Sequence, residues 1–271
     1  MGELILIPWH IGSYADITFS AVRALKRLRL LLAEDAKAAR GELEALGLGR
    51  ADRTILRIPH GEDEAFLKRL LARLAGEDAG LMASGGAPCL VDPGGWVVRR
   101  VRQAGRRVVP LGGASALTTV LSMSGLPAIE TASFAFYLHA VLEGRDLARF
   151  LRVVRRRDEP VVVFVNVPHL RPCLNLLARV VPKRPLTLFF DLTKGPSPRF
   201  PHANDVRTLP CRLWPRAAAA ADWSKVSDVA LLLEPAPFPS RRGGRAAGSA
   251  ALARRRGRRS VLRIPGEPRR A

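Results

Sequence analysis

The sequence predicts an α/β protein, and three observations carry that prediction. Short apolar runs of strand type alternate with segments of helical period through the first half. Longer β-type runs take over in the second half, and 48% of the 271 residues are hydrophobic, enough for sizeable cores. In chain order, Leu4-Ile5-Leu6-Ile7 is a strand, about Thr18 to Leu28 a helix, Leu30-Leu31-Leu32-Ala33 a strand, and about Ala36 to Leu46 a helix. A helix at Glu64 to Leu74, a strand at Leu81-Met82-Ala83, a helix at Trp96 to Gln103 and a strand at Val108 to Leu111 follow. Such alternation implies a mostly parallel sheet with helices on its faces, whose ligands sit beyond the carboxyl ends of the strands. Four loops leave those ends with unusual composition: Pro8 to Tyr14, Glu34 to Lys37, Ser84 to Pro88, and Gly112 to Ser115.

After Gly125-Leu126-Pro127 the runs Pro160 to Val167, Pro185 to Leu192 and Ser227 to Glu234 predict a mixed sheet. The expected organisation is an N-terminal α/β domain over 1–118, a C-terminal α/β domain over 119–235, and a basic tail over 236–271. The tail is rich in Pro, Gly and Arg and lacks apolar periodicity until "SVLRIP", so it is expected to be disordered.

Charge is the outlier of the composition. Lys and Arg number 44 against 24 Asp and Glu, a net of +20 that suggests a polyanionic partner. From Arg241 onward eleven arginines face a single acid, so half of the surplus lies in the last 31 residues. The three cysteines, Cys89, Cys173 and Cys211, are far apart with no C-x-x-C pairing. That spacing predicts neither a disulfide framework nor a metal site, and it fits a reducing cytosol. No run of eighteen apolar residues predicts a membrane span, and the apolar start "ELILIPW" is too short for a signal segment.

The stretch "GLMASGGAPCLVDPGG" (80–95) breaks from a strand into glycines, with neither the G-x-G-x-x-G spacing of a dinucleotide loop nor the Lys-Ser/Thr of a phosphate loop. Several residues near the strand ends have both a structural and a chemical use. Ser115 opens an apolar helix, as its N-cap or as part of an anion-binding turn. Asp16 and Thr18 precede a helix they can cap, and Asp92 before Pro93-Gly94 is most simply a turn residue and cap. His10 and His169 are candidate proton acceptors at neutral pH. Lys194, past the end of a long β run, can hold a phosphate or an alkoxide. Arg155-Arg156-Arg157 reads as a helix-end cluster with RNA contact as its alternative use.

Taken together, four segments resemble one family. "LILIPWHIGSYADIT", "LLAEDAK", "MASGGAPCLVDPG" and "VVPLGGASALTTVLSMSGLP" resemble, in order and spacing, the motifs of tetrapyrrole-methylase-like S-adenosylmethionine (SAM) methyltransferases. Within them, "VVVFVNVPHLR" and "FFDLTK" resemble the rRNA small subunit methyltransferase I branch. The resemblance runs from about residue 3 to 235. It implies two α/β domains of the tetrapyrrole methylase fold with SAM in the cleft between them, no metal, a homodimer in the cytoplasm, and 2′-O-methylation of a cytidine ribose in small-subunit rRNA, on the 30S subunit. Carried over to this chain, it implies cofactor contacts at Pro8, Ser84, Gly85, Gly86, Ala87, Gly113, Ala114, Ser115, Val165 and Asn166.

Methyl transfer to a ribose hydroxyl needs a base or a charge-stabilising cation beside that hydroxyl. The candidates are Asp35, Lys37 and Lys194, with His169 in reserve. The chain departs from the family pattern at Ser84, where the family has Asp, at Ala87 (Thr), at Gly112 to Ser115 (P-G-P-S), at Asn166 (Glu), at His10 (Pro), and in "YLHAVLEGR" after Phe136. Two rival readings follow. The acceptor is instead a tetrapyrrole or another small molecule, or the chain is a SAM- or RNA-binding homologue that has lost catalysis.

Overall fold

A computed structural model describes residues 1–138, 146–156 and 159–235. The expectations for the tail 236–271, for Arg157 and for most of "YLHAVLEGR" fall outside those residues. The first sheet uses strands β1 (Leu4–Ile7), β2 (Leu30–Ala33), β3 (Thr54–Arg57), β4 (Ala79–Met82) and β5 (Val108–Pro110). Their order is β3-β2-β4-β1-β5, every pair parallel, with Leu4 opposite Ala79 and Leu30 opposite the same Ala79 on the other side of β4. The central strands β2 and β4 are buried along their whole length, which is why they read as unbroken apolar runs rather than alternating ones.

Helices α1 (Phe19–Arg27), α2 (Ala36–Ala45), α3 (Glu64–Arg73) and α4 (Gly95–Gln103) connect these strands. Side-chain caps from Thr18, Asp35 and Asp63 open the first three. One apolar cluster gathers Ile5, Ile7, Leu25 and Leu43, and another gathers Leu4, Leu32, Leu70 and Val97. Arg53 is a buried cation used as a staple: its guanidinium donates to the carbonyls of Leu28 (3.1 Å), Leu48 (2.5 Å) and Leu25, closing the end of α1.

The second half contains α5 (Ala116–Met123), α6 (Ala128–Thr131), β6 (Ala135–Leu138), α7 (Leu147–Arg156), β7 (Val161–Asn166), α8 (Val167–Val180), β8 (Pro185–Phe190), β9 (Val206–Pro210), α9 (Trp214–Ala219) and β10 (Asp228–Leu233). Its sheet has the order β6-β7-β10-β8-β9, with β6 and β7 parallel and the other pairs antiparallel. One face packs Phe150 of α7, Leu174 of α8 and Trp214 of α9; the other packs Val120 of α5 against Val162, Phe189 and Leu232. The second half is therefore more helical than its β-rich texture suggests. The described residues form one compact unit that holds both sheets.

Candidate active site

The loops leaving β1 and β4 close against each other by backbone bonds. Trp9 N–H donates to the Gly86 carbonyl (2.9 Å), and Gly86 N–H donates to the His10 carbonyl (3.2 Å). Gly86 has φ +65, a backbone conformation that favours glycine, and a Cβ there would make a tight contact, 3.2 Å from Ile11 Cγ2. Gly113 packs on the Pro8 ring with no room for a side chain. The Trp9 indole, fully buried, donates to the Glu42 carboxylate and fixes the root of the β1 loop to α2.

Between these loops and the second sheet lies a cleft of about 630 Å³. One wall carries His10 to Gly12, Ser84 to Ala87, Asp92 and Ser115; the other carries Leu138, Phe164 to Asn166, Phe189, Lys194 and Asp228 to Ala230. The volume lies in the range of small-molecule and cofactor sites. Ser115 stands at the N-cap position of α5 but makes no capping bond, which leaves its hydroxyl available to the cleft.

The second wall holds a charged knot. Lys194 Nζ donates to Asp191 Oδ1 (2.8 Å) and to the Asp228 carboxylate. Asp191 is fully buried, and its Oδ1 also accepts from the backbone N–H of Ser227 (3.1 Å) and Asp228 (3.2 Å). Burial pulls the Lys194 ammonium downward, but the bonds to Asp191 and Asp228 outweigh it and hold its pKa above the ordinary lysine value. Lys194 is thus a permanent cation. The turn that presents it is strained, with Asp191 at φ 45 and Thr193 at φ 60, and the Asn204 side chain ties it down by accepting from Thr193 N–H (2.7 Å). Thr193 Oγ1 donates to Asp16 Oδ2 (2.7 Å), joining this turn to the β1 loop.

The first wall is acidic. Ser84 Oγ donates to Glu34 Oε2 (3.2 Å), and the half-buried Asp92 has its pKa pushed up to about 6, first by burial and then by the Glu34 charge.

Among the residues singled out in the sequence, Ser84, Gly85, Gly86, Ala87, Ser115, Val165, Asn166 and Lys194 line the cleft. Pro8, Gly113 and Ala114 are not on its lining. Pro8 and Gly113 pack against each other behind it, and the Ala114 carbonyl lies beside Gly86. Asp35, Lys37 and His169 are not on it either. Asp35 accepts from the N–H groups of Lys37 (2.8 Å) and Ala38 (2.9 Å) as the cap of α2, and these bonds hold its carboxyl below the usual range. His169 sits in the first turn of α8. Three charged or strained contributors escaped the sequence reading: Asp191, Asp228 and the role of Asp92 as a wall rather than a cap. The cap position of α4 belongs to Gly94. Among the described residues no cluster of three or more metal-ligating side chains is present, and no helix is long and apolar enough to cross a membrane.

A family model described as tetrapyrrole (corrin/porphyrin) methylases matches residues 3–195. The chain is 32% identical over 200 residues to the ribosomal RNA small subunit methyltransferase I of Xylella fastidiosa, covering 70% of each chain. It is 32% identical over 195 residues to the protein of that name from Escherichia coli O157:H7, covering 71% of this chain and 66% of that one. Two solved structures share the fold. A diphthine synthase superposes with a TM-score of 0.64 at 14% identity, covering 86% of this chain and 90% of that one. A uroporphyrin-III C-methyltransferase from Thermus thermophilus, complexed with S-adenyl homocysteine, superposes with a TM-score of 0.54 at 20% identity, covering 86% and 98%.

Proposed function

The chain belongs to the tetrapyrrole (corrin/porphyrin) methylase family and is a SAM-dependent methyltransferase, and from that premise we propose that it methylates a cytidine ribose 2′-hydroxyl of small-subunit rRNA. The observation that carries the acceptor is the 32% identity to relatives named for that RNA. A net charge of +20 supports it, because a phosphate-rich substrate suits a basic protein. The same reading takes the enzyme as a cytosolic homodimer.

The residues present fit the cofactor. Gly85 and Gly86 line the cleft without side chains, so that a ligand can approach the loop backbone closely, and Ser115 offers an unused hydroxyl. On this reading Ser84 to Ala87, Ser115, Val165 and Asn166 hold the cofactor, while Pro8, Gly113 and Ala114 support that wall from behind. When bound, SAM supplies an electrophilic methyl group on a sulfonium. The protein's part is alignment and a dry cleft, together with charge on the acceptor side. Our candidate to hold a phosphate or a developing alkoxide is Lys194, which lines the cleft and whose ammonium already donates to Asp191 and Asp228.

Radiolabelled methyl transfer to 30S subunits, followed by mapping of the modified nucleotide, tests the acceptor. Label on a tetrapyrrole or a base with ribose untouched would remove the ribose reading. SAM binding without any methylated acceptor would favour a homologue that has lost catalysis. Gly86→Val is expected to weaken SAM at least roughly tenfold in calorimetry, about 1.4 kcal/mol, because the side chain fills the cleft wall. Unchanged affinity in the folded variant would displace the cofactor from that loop. Removing residues 241–271, with their eleven arginines, is expected to flatten the dependence of RNA affinity on salt. An unchanged slope would show that the tail makes no phosphate contacts.

A further inference from the structure

We propose that the outer face of α1 is a track for single-stranded RNA, on which Phe19 stacks an unpaired base beside the acceptor nucleotide while Arg23 and Lys26 hold the phosphates that follow. The inference rests on the RNA reading above, whether the acceptor atom lies on the ribose or on the base. Phe19 is 88% exposed, more than any other large apolar side chain among the described residues except Met1. A single apolar side chain at a surface needs no explanation. This one belongs to a pattern. Phe19, Arg23 and Lys26 stand at i, i+4 and i+7 on one stripe of the helix, while Ala21, Ala24 and Leu25 turn to the core. Arg23 and Lys26 are exposed, and neither side chain has an ion-pair partner among the described residues. The helix contributes no acid of its own, and Arg27 is already held by Asp78. At the rise of an α-helix the stripe runs about 10 Å.

The stripe begins at the rim of the cleft. Thr18, the cap of α1, donates from Oγ1 to the Gly112 carbonyl (3.2 Å), at the head of the loop that brings Ser115 to the cleft. On the other side Asp16 accepts from Thr193, the neighbour of the cleft residue Lys194. Tyr14 makes a T-shaped contact with the ring of His10, itself on the cleft lining, at 4.7 Å between centroids. A strand whose acceptor nucleotide enters the cleft must continue over this rim, where it meets an aromatic ring and two unspent cations. Unpaired bases are what proteins stack on aromatic rings, and every base has a π-face, so the contact tolerates sequence. The cations answer the negative charge of the backbone. RNA uses both features. An apolar protein surface seated on the ring would instead cover two cations without pairing them.

The test follows binding of the full chain to a fluorescent single-stranded oligouridylate of about 12 nucleotides by anisotropy, over a range of salt. Phe19→Ala is expected to weaken binding at least roughly fivefold at fixed salt and to leave the slope of log K against log salt unchanged, because stacking releases no counterions. Phe19→Trp is expected to bind within about twofold of wild type, whereas Phe19→Leu should bind like Phe19→Ala, since it restores bulk without a π-face. The double variant Arg23→Ala with Lys26→Ala is expected to make the slope shallower by about 1.4, the value for two phosphate contacts on a single strand. These substitutions fall on exposed side chains, so melting temperatures should match wild type. Phe19→Ala binding like wild type would overturn the stacking role, as would full recovery in Phe19→Leu. An unchanged slope in the double variant would overturn the phosphate contacts. Phe19→Ala that splits a dimer in sedimentation yet keeps its RNA affinity would assign this face to a second copy of the chain. Wild-type protein that binds 30S subunits but not the oligonucleotide sinks the track alone. Binding to neither removes the RNA reading and the track with it.

Discussion

Replacing Lys194 with Met is expected to cost the fold about 3–5 kcal/mol and to lower turnover roughly a hundredfold. The stability loss follows from what stays behind. Asp191 is fully buried, its Oδ2 has no partner, and its Oδ1 would retain only the backbone N–H groups of Ser227 and Asp228. An anion left without its cation in that position is far more costly than the ion pair was favourable. The double variant Asp191→Asn with Lys194→Met removes both charges, so it should recover most of the stability and none of the turnover. Denaturant unfolding of the three variants measures the first effect, and methyl transfer to 30S subunits measures the second. A Lys194→Met protein as stable as wild type would show that water reaches Asp191. A fully active one would remove Lys194 from the acceptor side of the cleft.

The second large effect is expected at Arg184, far from the chemistry. Its guanidinium donates to the carbonyls of Val154 (2.7 Å), Glu159 (2.5 Å), Glu234 (2.6 Å) and Leu233 (3.3 Å), and the residue is 2% exposed. One planar fork therefore closes the last turn of α7, the segment before β7 and the end of β10. Arg184→Met orphans several buried acceptors at about 1–3 kcal/mol each and should cost at least about 4 kcal/mol. Arg184→Lys should recover less than half of that, because a point charge on a flexible stem cannot span carbonyls on three segments. Urea unfolding of both variants is the measurement. A Lys variant indistinguishable from wild type would mean that charge, not fork geometry, holds these ends together.

Much of the fold was legible because the strands that matter most carry the plainest signal. Leu30 to Ala33 is buried and apolar throughout, and Leu4 to Ile7 is apolar and buried except for the half-buried Leu6. Among the edge strands β5 was legible, but β3 and β9 were not. Thr54 to Arg57 is only partly buried, and Val206 to Pro210 is mostly exposed, so neither shows an apolar face in the sequence. The rule that ligands gather beyond strand ends selected the loops at Ser84 to Ala87 and at Ser115, which do line the cleft.

The same rule could not divide caps from working groups. Asp35 and Ser115 each follow a strand end and precede a helix, yet Asp35 is spent on capping and Ser115 is not. That division depends on side-chain rotamers and has no signature in residue type. The Lys194 knot was hidden for another reason. Asp228 reaches Lys194 only because β10 lies antiparallel between β7 and β8, a pairing made across 34 residues of chain.

Gly12 has a consequence for how the cleft admits its ligands. A side chain there would collide with the Leu192 carbonyl, Thr193 Oγ1 and Lys194 Cγ, and the Asp16 to Thr193 bond closes the same seam. A cleft sewn shut along one edge behaves like a book held at its spine: it widens by pivoting about that edge. Leu90 and Val91, exposed on the cleft lining, are then expected to move more than the Gly12 edge, and hydrogen exchange at the two places would measure it. Loosening the seam at Gly12 is therefore expected to change how fast the book opens before it changes what the book holds.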